Sequence, residues 1–318
     1  MLALGAATLV GPRTGRTQSP PKVGWLKIQD KSHTPGQLAA FIAGMAALGH
    51  REGRTFALEP RFADGDAARL APLAEELVAA GVAVIAATSQ PATDAARRIT
   101  RTVPIFGRMT DDPVQTGVAQ SLARPGGNVT GVYSLLEEMS PKRLALLRDA
   151  VPAMRTVGAL LTLDRGATVR WLADTEAAAR QLGVGLHVMD VRSEADLDPA
   201  FAKAAEQRID GILAFRNPTI VTHAKRVIAL ADRYRMPSIF DARDFVEAGA
   251  LMSYGPNLDA IFRRGASYVD QILKGAKPGE LPIEQPSTLE LVVNMKTAKA
   301  MGLAISPAIL TTADAVIE

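Results

Sequence analysis

The chain has 318 residues, 47% of them hydrophobic and 22% charged, with a net charge of +3; that size buries a large core and suggests two domains or one large α/β unit. It contains no cysteine, which excludes disulfides, thiolate metal sites, a cysteine nucleophile and an N-terminal lipid-bearing cysteine. Basic and acidic residues are interleaved and aromatics make up only 5%, so neither a basic patch nor a base-stacking platform for nucleic acid is expected.

The apolar run "LALGAATLVG" (2–11) is too short to span a bilayer but has the length of the apolar region of a secretory signal. The polar and basic "PRTGRTQSPPK" follows. No basic residue precedes the run and no A-x-A site follows it, so the expectation is a signal whose basic beginning lies upstream of Met1. A frayed tail over residues 1–20 is the alternative. No later segment is long and apolar enough for a transmembrane helix, so the chain is expected not to span a membrane.

Short apolar runs and helical patterns then alternate. "KVGWLKI" (22–28) reads as a strand, "GQLAAFIAGMAAL" (36–48) as a helix, "TFALEP" as a strand and "DAARLAPLAEELVAAG" as a helix. "VAVIAAT", "PATDAARRI" and "VPIFG" continue the series as strand, helix and strand. Continuous apolar runs between helices are what a parallel sheet covered on both faces requires. The pattern restarts at "TVGALLTL" (156–163) and proceeds through "TVRWLADTEAAARQLG", "LHVMDV", "PAFAKAAEQR" and "DGILAF". Two successive doubly wound units are implied.

The closest parallel joins "VAVIAATSQPATDAARRITRTVPIFG" to "DGILAFRNPTIVTHAKRVIALADRYRMPSIFD". Each runs apolar strand, polar pair, proline-led helix, basic helix end and second apolar strand. In such sheets ligands bind outside the carboxyl ends of the strands, where helix N-termini point. Asn217 and Ser89 suit N-cap positions ahead of Pro218 and Gln90-Pro91. A cap accounts for Asn217 and Ser89; it does not account for Arg216, an arginine delivered by an apolar strand to its own tip.

Four segments carry a family resemblance: "DPVQTGVAQSLARPGGNVTGV" (112–132), "PKRLALLRDAVP" (141–152), "FVEAGALMSYG" (245–255) and "PSTLELVVNMKTAKAMGLAISPAIL" (286–310). On these, the chain from about Lys22 to its end resembles the solute-binding proteins of a bacterial ABC-transporter family with a type I periplasmic-binding fold. The resemblance implies two doubly wound parallel-sheet lobes joined by crossing segments, with a ligand cleft between them. It also implies export to the periplasm, permease and ATPase partners, and no cofactor; a monomer is expected. The expected lobes are residues 21–134 with about 251–283, and 135–250 with about 284–318. "KGAKPGELPIEQP" (274–286) is expected to be an extended crossing.

The strand tips "QDKSHT", "GRMTDD", "LDRGA" and "AFRNP" depart from the family pattern, so the ligand chemistry of relatives does not carry over. The candidate ligand-binding residues are Gln29, Asp30, Lys31, Ser89, Gln90, Arg108 and Asp111 in the first unit. Asp164, Arg165, Arg216, Asn217 and Asp241 are the candidates in the second. Tyr133 and Tyr254 sit near the expected crossings, where they either line the cleft floor or pack in the interior. Arg108 and Arg216, read as corresponding tips, suit bidentate recognition of a carboxylate. A small ligand such as an amino acid or an aromatic acid is expected, with Asp111 or Asp241 taking an amine if one exists. The alternative pairs each arginine with a neighbouring acid, Arg108 with Asp111 and Arg243 with Asp244.

Trp25 and Trp171 fall inside a strand and a helix and read as core. His33, His50, His187 and His223 show no metal-ligand spacing. No G-x-S-x-G, P-loop or H-E-x-x-H motif occurs, and "RPGGNVTG" reads as a turn into the strand at Val129, so no enzyme is expected. A DNA-binding regulator with this fold would need a helix-turn-helix where only about twenty apolar or Pro/Gly-rich residues stand. A sensor presenting ligand to a signalling receptor is the remaining alternative to transport.

Overall fold

A computed structural model describes residues 19–31, 35–134, 139–163 and 166–318. The signal-like run, His33, Asp164 and Arg165 lie outside the described residues.

The first lobe is built from β1 (Lys22–Lys27), α1 (Pro35–Ala47), β2 (Ala57–Phe62), α2 (Leu70–Ala79), β3 (Val84–Ala87), α3 (Gln90–Ile99), β4 (Ile105–Met109) and β5 (Val129–Tyr133). Its strands are all parallel, in the order β2-β1-β3-β4-β5. Every residue of β3, β4 and β5 is buried, because helices cover both faces of a parallel sheet.

The second lobe starts with α4 (Ser140–Ala150), β6 (Thr156–Leu161), α5 (Gly166–Leu182), β7 (Gly185–Asp190), α6 (Leu197–Glu206) and β8 (Ile212–Ala214). It continues with α7 (Pro218–Thr222), α8 (Ala224–Arg233), β9 (Ser238–Phe240), α9 (Arg243–Glu247) and β10 (Met252–Pro256). Its strands run β7-β6-β8-β9-β10, the same winding as the first lobe. The duplication read from the sequence is therefore a duplication of topology. After β10 come α10 (Leu258–Leu273), β11 (Leu289–Asn294), α11 (Met295–Ala300), α12 (Pro307–Thr312) and β12 (Ala315–Ile317). β11 joins the second sheet antiparallel to β10, and β12 pairs parallel with β11, giving seven strands.

The lobe edges fall differently from the expected ones. Residues 252–256 pair with β9 and β11, so the chain leaves the second lobe at Asn257 and not near 251. α10 packs on α1 and on the first sheet. Trp25, fully buried, is held between Phe41 and Phe262 with ring centroids 5.3 and 5.4 Å away. At Gly44 a Cβ would stand 2.8 Å from that of Ala266, which is why the two helices approach so closely.

Most of 274–286 lies on the first lobe instead of crossing. Ile283 N donates to Leu122 O at 2.7 Å and Tyr133 N to Glu284 O at 2.8 Å. The crossing takes place between Glu284 and β11. The proline-led helix read after Asn217 is broken at His223 (φ −103°, ψ 26°) into α7 and α8. Among the described residues no helix is long and apolar enough to cross a membrane.

Candidate ligand-binding cleft

In both lobes the winding reverses beside the first strand, between β1 and β3 and between β6 and β8. The crevice outside the carboxyl ends of such strands is the place where doubly wound sheets bind ligands. The two crevices meet here. Gln29, Ser89, Gln90, Arg108 and Thr110 from the first lobe and Arg216, Asn217 and Val221 from the second line one cavity of about 60 Å³.

Arg216 is fixed in place from two sides. Its Nη1 donates to Asp241 Oδ2 at 2.8 Å, and its guanidinium carbon lies 5.6 Å from the Phe245 ring centroid. Phe245 is itself stacked on Phe240, 4.4 Å between centroids. The side chains of Arg216 and Asp241 are 11% and 2% exposed, so the pair is desolvated and the arginine presents its remaining edge to the cavity. Arg108, at the end of β4, is buried and reaches the same cavity from the other lobe.

Asn217 caps α7 as its spacing predicts, Oδ1 accepting from Ile220 N at 2.8 Å. Its Nδ2 is shielded from solvent and has no hydrogen-bond partner among the described residues, which leaves a donor beside Arg216. Ser89 caps α3 by accepting from Ala92 N. Gln90 ties down the loop after β4, its Oε1 accepting from Thr110 N and Asp111 N at 2.9 and 3.2 Å while Nε2 donates to Asp94. Ser89 and Gln90 therefore shape the cavity wall through bonds to the backbone around them.

Of the other candidates, Asp30, Lys31 and Asp111 do not line this cavity. Tyr133 is buried in the first lobe's core and Tyr254 is half-buried against the second's. Asp241 accepts from Arg216 through Oδ2. Arg108 and Arg216 are not at corresponding tips. Arg108 ends the fourth strand in winding order and Arg216 follows the third, so Arg216 corresponds to Ser89-Gln90. Arg243 pairs with Glu247 at 2.8 Å and not with Asp244, since the i,i+4 partner lies on the same helix face.

Two charged residues of the cleft escaped sequence reasoning. Lys27, 3% exposed, ends β1 on the same face as Val23 and Trp25. Burial pulls its pKa down to about 8, opposed by the attraction of Asp244 and Asp30. Asp244 opens α9 half-buried; burial pushes its carboxyl up, against the pull of Arg216 and Arg108. A lysine interrupting an apolar strand at period two was the available signal for Lys27. Asp244 had none beyond its neighbour Asp241.

Beside Asp244 a second chamber of about 390 Å³ opens between the first turn of α1 and α9, with Asn257 and Leu258 at its floor. The lobes also touch directly. Gly65, at φ +87°, sits so close to α7 that a Cβ would stand 2.9 Å from Thr222 Cγ2.

Two doubly wound lobes of the same winding, joined by crossings and meeting at their strand tips, define a type I periplasmic-binding fold. The chain belongs to the ABC transporter substrate binding protein family, which it matches over residues 34–317. A tyrosine-binding protein of Clostridioides difficile is 22% identical over 263 residues, 83% of this chain and 75% of that protein. The crystal structure of an ABC domain from Streptococcus pneumonia in complex with L-Trp superposes with a TM-score of 0.84 at 24% identity, covering 94% of this chain and 100% of that one. A conserved domain protein from Vibrio cholerae gives 0.83 at 26%, covering 93% and 99%.

Proposed function

We propose that this chain is the extracytoplasmic capture component of an ABC importer, binding a small carboxylate-bearing solute by lobe closure and presenting it to a permease whose ATPase subunit supplies the energy. It binds its ligand and does not transform it. The observation that carries this reading is the meeting of Arg108 and Arg216, one from each lobe, at a single cavity beside the unpartnered Nδ2 of Asn217. Planar guanidinium groups recognise carboxylates in bidentate fashion. Because the two arginines belong to different lobes, a carboxylate between them binds the closed form better than the open one, which is the condition for ligand-driven closure. The bound L-Trp of the streptococcal relative and the tyrosine of the clostridial one are both carboxylates, which supports this chemistry.

The test is thermal unfolding of the refolded, ligand-stripped chain against amino acids, aromatic acids, neutral sugars and polyamines. A ligand at about 100 times its Kd adds roughly 2.7 kcal/mol. A saturable rise in Tm with a carboxylate is expected; a rise with neutral sugars alone would sink the carboxylate reading.

A further inference from the structure

The cavity at the arginines has room for a few waters or a carboxylate group, not for a whole solute. The rest of the ligand needs a larger space, and the chamber lined by Asp244 has a volume in the range of small-molecule sites, about 300–1,000 Å³. That chamber is neither apolar nor aromatic. Its walls carry Asp244, Glu247, Asp259 and Glu290, and Arg243, the one cation among its described residues, is paired with Glu247 at 2.8 Å. Asp259 and Glu290 share the field of that same arginine, and Asp244 faces Lys27 and the two cleft arginines as well, so the chamber itself carries more carboxylates than cations.

Two of its polar residues are buried. Gln37, in the first turn of α1, is 8% exposed and lines the chamber. Asp244 Oδ1 is shielded from solvent and has no hydrogen-bond partner among the described residues. Glu290, also 8% exposed, uses Oε2 to accept from Asn257 Nδ2 at 2.9 Å. Burial pushes its carboxyl upward, with Asp314 and Asp259 adding to the shift against Asn257 and Arg243. An arriving cation would offset that cost, since an opposite charge close by favours the ionised carboxylate. Among the described residues no group of three acids or histidines gathers as the ligands of a metal ion; the acids are spread around the walls, as suits an extended organic cation.

Resting on the reading that the arginines hold a carboxylate, we infer that the ligand is an amino acid with a cationic side chain, its carboxylate at Arg108 and Arg216, its α-ammonium at Asp244, and its terminal ammonium or guanidinium in the chamber beside Gln37 and Glu290. Asp244 is the junction. It lines the chamber and its carboxyl feels the charge of both arginines, so it stands between the carboxylate end and the chamber.

Calorimetric titration of the ligand-stripped chain with L-lysine, L-norleucine, L-tryptophan and cadaverine tests this. Norleucine has lysine's chain without the terminal charge, and cadaverine lacks the carboxylate. Lysine is expected to bind at least tenfold more tightly than norleucine, tryptophan or cadaverine. Glu290→Gln, which keeps the bond from Asn257, should reduce the preference for lysine over norleucine at least fivefold. Gln37→Glu, adding an acid at a first helical turn that favours one, should raise it. Tryptophan or norleucine binding as tightly as lysine would overturn the cationic side chain while leaving the carboxylate reading intact. Cadaverine binding as tightly as lysine would overturn the carboxylate reading and this assignment together; silence from all three amino acids would overturn this assignment alone.

Discussion

Arg216 is both a candidate ligand contact and the partner of an almost fully buried carboxylate, and those roles separate experimentally. Removing one member of a buried ion pair costs about 3–5 kcal/mol because the other is left uncompensated, so Arg216→Ala should lower folding stability by that order. Adding Asp241→Asn should return most of the stability in urea unfolding. Affinity for a carboxylate ligand should stay reduced, by roughly ten- to a hundredfold, in the single and the double variant alike. Recovery of affinity in the double variant would make Arg216 a purely structural residue. Lys27 gives a different signature. Its folded pKa of about 8 lies below the ordinary 10.5, so between those values the unfolded chain binds more protons and stability rises with pH. Below pH 8 the burial cost is present in full. Wild type should therefore gain stability relative to Lys27→Met between pH 7 and pH 10; a constant difference would mean that the folded lysine is as well solvated as the unfolded one.

At the scale of elements, capping was the most legible feature. Asn217 and Ser89 were identifiable as caps from a polar residue standing ahead of a proline or a proline-bearing first turn, and both accept from the backbone three residues on. Asn217→Ala should cost about 1 kcal/mol, measured by urea unfolding, and should also weaken ligand binding, because the same side chain carries the spare Nδ2 donor. Loss of stability with unchanged affinity would confine Asn217 to the cap. Strand positions were legible because buried parallel strands read as bare apolar runs, and the turn "RPGGNVTG" into β5 was equally plain. The break between α7 and α8 was not, since no glycine or proline marks it and His223 adopts its bend under tertiary contacts. The partner of β10 was illegible for a similar reason. A five-residue strand fits either sheet, and its pairing with β9 and with the antiparallel return of β11, over thirty residues later, decides between them. Side chains that combine across lobes, such as Lys27 with Asp244, leave no local pattern at all.

At the scale of the whole molecule, the balance between open and closed forms rests on how closely the lobes approach. Gly65 meets Thr222 with no space for a side chain, and its φ of +87° is one that L-residues rarely adopt. Gly65→Ala should shift the population toward the open form and weaken every ligand by a similar factor, since affinity is scaled by the closed fraction. The radius of gyration from small-angle scattering should increase. Selective loss of one ligand, with unchanged scattering, would show that the contact shapes the site and not the closure.

The placement of α10 also governs the order in which this chain can be completed as it is made. The first lobe's sheet is finished by residue 133, but its central tryptophan needs Phe262, and the edge of β5 needs Glu284. Almost the entire second lobe is synthesised in between. Contacts of such long sequence separation form late, so a nascent chain ending near residue 256 carries a nearly whole first sheet with an uncovered flank. The segment made first is thus held short of its native state until a helix that follows nearly the whole second lobe has been made.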